Sequence, residues 1–433
     1  MALPNPVIII PGITATNLRD EYPISPETVW SVLSKDYTRI SLHPDNCRYE
    51  VNEPARIQPD NIMSIAYNEL AEELRYNLRE KEDKPVPVYP FAYDWRQPLD
   101  LIEEQLALFI DEVIERTKLM RNYVKDGYTE NPKVNLVGHS MGGLVIAGYM
   151  QSAGKNCKVA KVVTLATPFK GSYEAVIKVT TGTANLGVSS PSSRERESAR
   201  VTPALYHLLP SCPGLIVDPK LPQKDLYDPS LWQRSIYQTL EEYIRLYAVN
   251  SKNPKQQAEE LFSALLLSAS KHRDKVESFT LKNSGLANND WLAVVGVNTE
   301  TRVRLKIVST AKGPDFEFSS SDRADKWASN NVEEKKLTGD GTVPFAGAIP
   351  SFLKPENLVC VTPGDFGYWE LQDKIISEAA GFHGMIPNMN MIHRLIVRHF
   401  TGRKDYHGNT WGRSVPGVTK DKWQPPMELD YKE

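Results

Sequence analysis

Five residues constrain this chain more than any others: Gly138-His139-Ser140-Met141-Gly142. An apolar run, Val134–Val137, leads into them, and Gly143-Leu144-Val145-Ile146-Ala147 follows with helical character. A glycine two places before and two after a serine, between a strand and a helix, answers a steric need. The serine stands on a sharp, strained turn, and the glycines let neighbouring chains approach where a Cβ would obstruct them. The hydroxyl is lifted clear of the sheet, and the start of the following helix favours negative charge developing beside it. Ser140 is therefore the candidate nucleophile. A glycine-rich strand-to-helix turn with an incidental serine is the competing reading, and the flanking strand and helix argue against it.

The rest of the chain supplies a setting for that turn. Val7–Ile10 is a continuous β-branched run ending in Pro11-Gly12, the mark of a strand buried on both faces. Further strands are predicted at Val86–Tyr93, Val134–Gly138 and Val159–Ala166, with helices at Ile62–Leu78, Leu101–Arg121 and Gly142–Gln151. In the first helix Ile62, Ile65, Leu70, Leu74 and Leu78 form the apolar stripe. Strands alternating with helices imply an α/β fold, a parallel sheet with helices on both faces. Residues 17–60 are proline-punctuated and are expected to be irregular with short elements. Residues 177–200 keep no core period and read as a flexible loop or lid. Helices are predicted at Trp232–Tyr247 and Gln256–Lys275, and a closing one at Met389–Phe400. Trp291–Val297 and Thr301–Val308 read as strands pairing with each other around Asn298-Thr299-Glu300, and Leu358–Thr362 as a further strand.

A serine hydroxyl needs a base, and the base needs an orienting acid. In hydrolases built on such a turn the order along the chain is serine, acid, histidine. His383, in Gly381-Phe382-His383-Gly384-Met385, lies in a loop after the last strand and before the last helix, where a ring can reach back over the sheet. His393 and His399 fall on the closing helix and read as packed or surface histidines, and His407 lies in a polar tail. For the acid, Asp340 in Gly339-Asp340-Gly341-Thr342-Val343-Pro344 has glycines on both sides that suit a tight turn. The same turn is where an aspartate caps its own backbone. Asp315, Asp322, Asp325 and Asp365 lack comparable surroundings. Two backbone N–H groups are needed for the oxyanion. The candidates are Met141, directly after the serine, and Ile13, which the Pro11-Gly12 turn would aim inward.

Composition excludes several alternatives. Lysines and arginines number 51 against 54 acids in 433 residues, a net charge near −3. No basic field recommends nucleic acid as a partner. Neither HExxH, a P-loop nor GxGxxG occurs, so no metal and no cofactor is expected. The four cysteines form no CxxC pair and read as unpaired thiols of a reducing compartment. The run Leu261–Ala269 is too short to cross a bilayer, and no secretory leader is recognisable at the start. The expectation is a cytoplasmic protein.

Several motifs occur together and in order: Val7-Ile8-Ile9-Ile10-Pro11-Gly12, Tyr93-Asp94-Trp95-Arg96, the serine pentapeptide, Ala166-Thr167-Pro168-Phe169-Lys170-Gly171-Ser172, Leu208-Leu209-Pro210-Ser211 and the Asp340 hexapeptide. In this the chain resembles the lecithin:cholesterol acyltransferase family from about residue 5 to about residue 400. The resemblance implies an α/β-hydrolase fold with a core in two parts, 1–171 and 291–412, a cap and lid inserted at 172–290, and a polar tail at 413–433. It gives Ser140, Asp340 and His383 the nucleophile, acid and base roles, and makes the substrate a lipid-like ester. Signal and lid disulfide, seen in secreted animal members, have no counterpart here. Hydrolysis is the leading expectation. Acyl transfer from a phospholipid to an alcohol, amide cleavage and a non-catalytic binding scaffold are the alternatives. Arg194, Arg196 and Arg200 offer the lid a transient contact with a membrane surface, although interleaved glutamates nearly cancel their charge. Tyr93–Arg96 reads first as a buried Asp–Arg pair with tryptophan packing and second as a wall of the cleft.

Overall fold

The computed structural model describes residues 3–182, 193–367, 370, 381–425, 427 and 430–431. Part of the expected lid, residues 183–192, lies outside them. Six parallel strands form the central sheet: β1 (Val7–Ile10), β2 (Val88–Pro90), β3 (Val134–His139), β4 (Val159–Leu165), β5 (Trp291–Gly296) and β6 (Leu358–Val361). Their spatial order is β6-β5-β4-β3-β1-β2, and every adjacent pair is parallel.

Side-chain alternation assigns the two faces. Ile8, Ile10 and Leu136 point into a core shared with α2 (Leu99–Lys118) and α3 (Met141–Ala153). Val7, Ile9, Val137 and Val163 point the other way, toward α1 (Ser64–Leu78) and a closing helix, Asn390–Thr401. Both faces are covered, which is why these strands are continuous apolar runs. The chain leaves β1 for β2 on one side and returns to β3 on the other. The strand order thus reverses at β1, and the carboxyl ends of β1 and β3 open the crevice where such sheets place ligands. A mostly parallel sheet of this kind, with helices on both faces, is the α/β-hydrolase architecture.

Between β1 and α1 the chain forms a three-stranded antiparallel sheet, Thr16–Asp20 flanked by Glu27–Trp30 and Ile57–Ile62. Among the described residues, four α-helices follow Ser172: α4 (Tyr173–Thr181), α5 (Ser193–Arg200), α6 (Pro203–His207) and α7 (Arg234–Tyr247). A long fifth, α8 (Pro254–Glu277), ends the insertion. The Arg273 guanidinium on α8 donates to the backbone carbonyls of Phe169, His207 and Leu209, joining the insertion to the loop after β4.

Two expectations need correction. Trp291–Val297 and Thr301–Val308 do not pair with each other. The fully buried run Trp291–Gly296 enters the central sheet between β4 and β6. The half-buried run Leu305–Thr310 pairs with Leu215–Val217 and with Gly313–Glu317. Asn298, at φ 63°, helps turn the chain between them. The flexible stretch expected at 177–200 contains the end of α4 and all of α5, whose Ser198, Ala199 and Arg200 are buried. The described part of the polar C-terminal segment, 413–433, packs on the sheet. Trp423 is buried with its indole N–H on the Leu358 carbonyl, 2.8 Å, and the backbones of Arg413 and Cys360 exchange hydrogen bonds along β6.

Candidate active site

Strand β3 delivers Ser140 to the crevice, and sterics hold it there. Ser140 has φ 52° and ψ −126°, a region that side-chain-bearing residues avoid. Its amide donates to the Leu165 carbonyl, 2.9 Å, which ties the turn to the end of β4. Both motif glycines are forced. A Cβ on Gly142 would lie 2.3 Å from the Ile10 carbonyl oxygen, and one on Gly138 would lie 2.6 Å from Ile146 Cδ1. The strain at Ser140 is thus imposed by close packing of β1 and α3 against the turn.

His383 and Asp340 arrive from distant segments. His383 lies in a short helix, Phe382–Met385, and Asp340 in the turn after the short helix Val332–Lys335. His383 Nε2 is 2.9 Å from Ser140 Oγ, and His383 Nδ1 is 2.7 Å from Asp340 Oδ2. The other carboxylate oxygen, Oδ1, accepts the amides of Thr342 (3.0 Å) and Val343 (2.7 Å). The two readings of the Asp340 turn are therefore both realised, one by each oxygen. Thr301 Oγ1 accepts the Gly341 amide at 2.8 Å and steadies the turn. Asp340 and Ser140 are buried, and the His383 side chain keeps 13% of its surface exposed. The hydroxyl–imidazole–carboxylate line is thus shielded but reachable.

The loop after β1 lies directly over the serine. A Cβ on Gly12 would come within 2.9 Å of Ser140 Cβ. Tyr93 holds this loop by donating its hydroxyl to the Pro11 carbonyl, 2.7 Å. Ile13 is the next residue of this loop, and Met141 is the first of α3. Asp94 and Arg96 form the expected buried pair, with Arg96 Nε 2.8 Å from Asp94 Oδ1 and Nη2 2.7 Å from Oδ2. Arg96 also reaches Glu50, 2.8 Å. Burial pushes the Asp94 carboxyl up, but the Arg96 charge and hydrogen bonds outweigh it and leave the group below the usual range. Trp95 packs on Trp30 with ring centroids 4.8 Å apart. The tetrad therefore contributes to the site through Tyr93.

Of the remaining acid candidates, Asp365 binds Trp411 and Arg413, Asp322 ends a short helical turn, Ser320–Asp322, and Asp325 follows the short strand Arg323–Ala324. His393 and His399 are buried on the closing helix, Asn390–Thr401. Two residues that the sequence reading did not single out lie against the line: His139, whose ring centroid is 5.2 Å from that of His383, and Tyr67 of α1. Among the described residues, Asp100, Glu103 and His272 bring ligand-type atoms within 4.8 Å of one another, away from Ser140. The Lys275 ammonium already sits on both carboxylates there, so the place of a cation is taken by a side chain.

Residues 59–262, a little under half of the chain, match the family described as lecithin:cholesterol acyltransferase. No characterised protein matches the chain in sequence. Among solved structures, one from the Tle4–Tli4 complex superposes with a TM-score of 0.62 at 16% identity, over 94% of this chain and all of that one. Phospholipase PlaB from Legionella pneumophila gives 0.31 at 12% identity, over 69% of this chain and 40% of that one. A monoacylglycerol lipase from Paleococcus ferrophilus gives 0.25 at 13%, over 70% and 79%. The match over residues 59–262, carried on an α/β-hydrolase fold, makes this chain similar to the lecithin:cholesterol acyltransferase family and marks it as an ester hydrolase or acyltransferase.

Proposed function

We propose that this chain hydrolyses lipid-like carboxylic esters through an acyl-enzyme on Ser140, with His383 as base and Asp340 as its orienting acid. The observation that supports this is the unbroken line from Ser140 Oγ through His383 to Asp340, at 2.9 and 2.7 Å. Ser140 Oγ attacks the ester carbonyl carbon while its proton passes to His383 Nε2. The His383 Nδ1–H donates to Asp340 Oδ2, which stabilises the imidazolium without taking its proton. The carbonyl oxygen becomes an oxyanion received by the Ile13 and Met141 amides. Collapse breaks the bond to the alcohol, which leaves with the proton from His383. Water then attacks the acyl-serine, giving its proton to His383, and the acid is released as the proton returns to Ser140.

The cap over residues 172–290 is assigned the acyl chain. Its helices follow the loop after β4, beside the crevice, and Arg273 binds them to that loop. A second reading, acyl transfer to an alcohol, is favoured by the family match. The two readings diverge only at deacylation, where an alcohol replaces water. A fluorophosphonate probe followed by peptide mapping tests the shared first half: labelling at Ser140, abolished in Ser140→Ala, is expected. Labelling elsewhere, or ester turnover surviving in Ser140→Ala, would overturn it. Partition of a labelled acyl chain between water and added alcohols then separates hydrolysis from transfer.

A further inference from the structure

His139 occupies the variable place in the serine pentapeptide, yet its surroundings are fully specified. Its ring is buried, with Nε2 2.9 Å from the His383 backbone carbonyl and Nδ1 2.7 Å from the Tyr67 hydroxyl. A carbonyl oxygen only accepts, so Nε2 must carry the hydrogen. Burial and the nearby His383 push the His139 imidazole down to about 3, which keeps it neutral near neutral pH. A neutral ring with hydrogen on Nε2 has a bare Nδ1, so Tyr67 O–H must donate to it. The Tyr67 oxygen in turn accepts the Gly12 amide, 2.9 Å. Direction is thereby set along the whole chain of bonds: Gly12 N–H to Tyr67, Tyr67 O–H to His139, His139 Nε2–H to the His383 carbonyl.

The three segments joined this way are the three that must meet for the proposed chemistry. Gly12 precedes Ile13 in the oxyanion loop, His139 precedes Ser140, and His383 is the base. The His383 backbone is held from its other side as well, because its amide donates to the Asp340 carbonyl at 3.1 Å. We infer that Tyr67 and His139 are positioning residues, a one-way hydrogen-bond relay that sets the oxyanion loop, the nucleophile turn and the base loop relative to one another. The inference rests on the hydrolase reading given above, and it adds to that reading two residues that touch neither substrate nor the reacting atoms.

Tyr67→Phe removes one oxygen and leaves the Gly12 amide and His139 Nδ1 without their partner. On p-nitrophenyl butyrate, kcat is expected to fall about 10- to 100-fold with KM within about 3-fold, since small misplacements act on the reacting geometry more than on binding. Fluorophosphonate labelling of Ser140 should slow in proportion while the thermal midpoint moves little. His139→Leu should behave alike, and the double variant should cost no more than the worse single one, as expected of residues that act as a unit. His139→Gln offers an amide oxygen to Tyr67 and an N–H to the carbonyl, and should recover most of the rate. A Tyr67→Phe enzyme keeping more than half of kcat, or a folded His139→Gln no better than His139→Leu, overturns the relay. A measurement free of activity is ¹⁵N NMR of histidine-labelled protein, with His139 identified by its loss in His139→Gln: the neutral Nε2–H tautomer is expected, and an Nδ1–H tautomer sinks the inference. Failure of wild-type Ser140 to label would sink the hydrolase reading instead, and the tautomer would still decide the relay.

Discussion

Among the described residues, two carboxylate–imidazole pairs with largely buried carboxylates have the same 2.7 Å spacing, Asp340–His383 and Glu103–His272. Only one has the makings of a reactive centre, and the difference lies in what surrounds each carboxylate. Asp340 receives two backbone amides from its own turn, and its histidine looks out on a serine hydroxyl with part of its surface open. Glu103 on α2 is pressed against α3, where a Cβ on Gly148 would lie only 1.8 Å from its Oε1. Burial pushes the Glu103 carboxyl up to about 8 even though the Lys275 ammonium draws it down. Burial likewise takes the His272 imidazole down to about 3. Among the described residues, no hydroxyl bonds the His272 ring. Its ring instead packs edge-on to His207 at 4.9 Å, and both His207 nitrogens lack a hydrogen-bond partner. Fixed dipoles around one pair and sealed helices around the other separate chemistry from packing.

The largest expected effect breaks the first pair. Asp340→Asn should lower kcat/KM about 10³- to 10⁴-fold, as loss of an orienting carboxylate does in serine hydrolases. Ester turnover would check it, and a residual rate above a tenth of wild type would count against the role. The second pair should answer in stability instead. Above pH 8, where Glu103 is ionised, Lys275→Met leaves its carboxylate without a cation, for a loss of about 2 kcal/mol, toward the low end for buried pairs because Lys275 is a quarter exposed. Denaturant unfolding would show this, with turnover per folded molecule unchanged.

The pH dependence sharpens the contrast. A carboxyl raised on folding binds its proton more tightly in the folded state than in the unfolded chain. Its contribution to stability is therefore complete below the unfolded value, near 4.5, and is lost as pH rises through about 8. Glu103→Gln cannot ionise, so its thermal midpoint should gain on that of wild type between pH 5 and pH 8. A gap that is constant or narrows in that window would remove Glu103 as its source. The smallest effect concerns the turn that holds Asp340. Thr301→Val removes the hydroxyl that accepts the buried Gly341 amide, which should cost about 1 kcal/mol of stability. We expect kcat to drop only about 3- to 10-fold, in the same assay, because the two amides on Asp340 Oδ1 remain.

Much of this site was legible in the sequence because it is governed by steric rules. The glycines around Ser140 and Asp340 mark places where backbones meet, and such places leave a residue-level trace. Tyr67 left none. A tyrosine on a helix that packs on a sheet looks like core, and the stripe read through Ile65 was slightly turned: Ile65 is 48% exposed, whereas Tyr67 is buried in line with Leu70, Leu74 and Leu78. His139 was in view, but its neighbours come from α1 and from a short helix 244 residues away. The misread hairpin after Trp291 has a similar cause. Alternation tells a strand which face is buried, but partners as remote as Val162 and Leu358 are invisible to a local pattern. Near the C-terminus a polar composition hid Trp423, one side chain that anchors its segment.

The short strand Leu215–Val217 carries a consequence for anyone who would trim this molecule. It lies inside the insertion yet pairs along Leu305–Thr310, so the boundary expected at 290 cuts through a sheet. Excising residues 172–290 to obtain a minimal core would strip the partner strand from Leu305, Lys306 and Ile307 and present their bare amides and carbonyls to any chain nearby. Such an edge recruits further copies of itself. The shortened protein should therefore sediment as aggregates, while a version that keeps 215–217 tethered against that edge should stay dispersed.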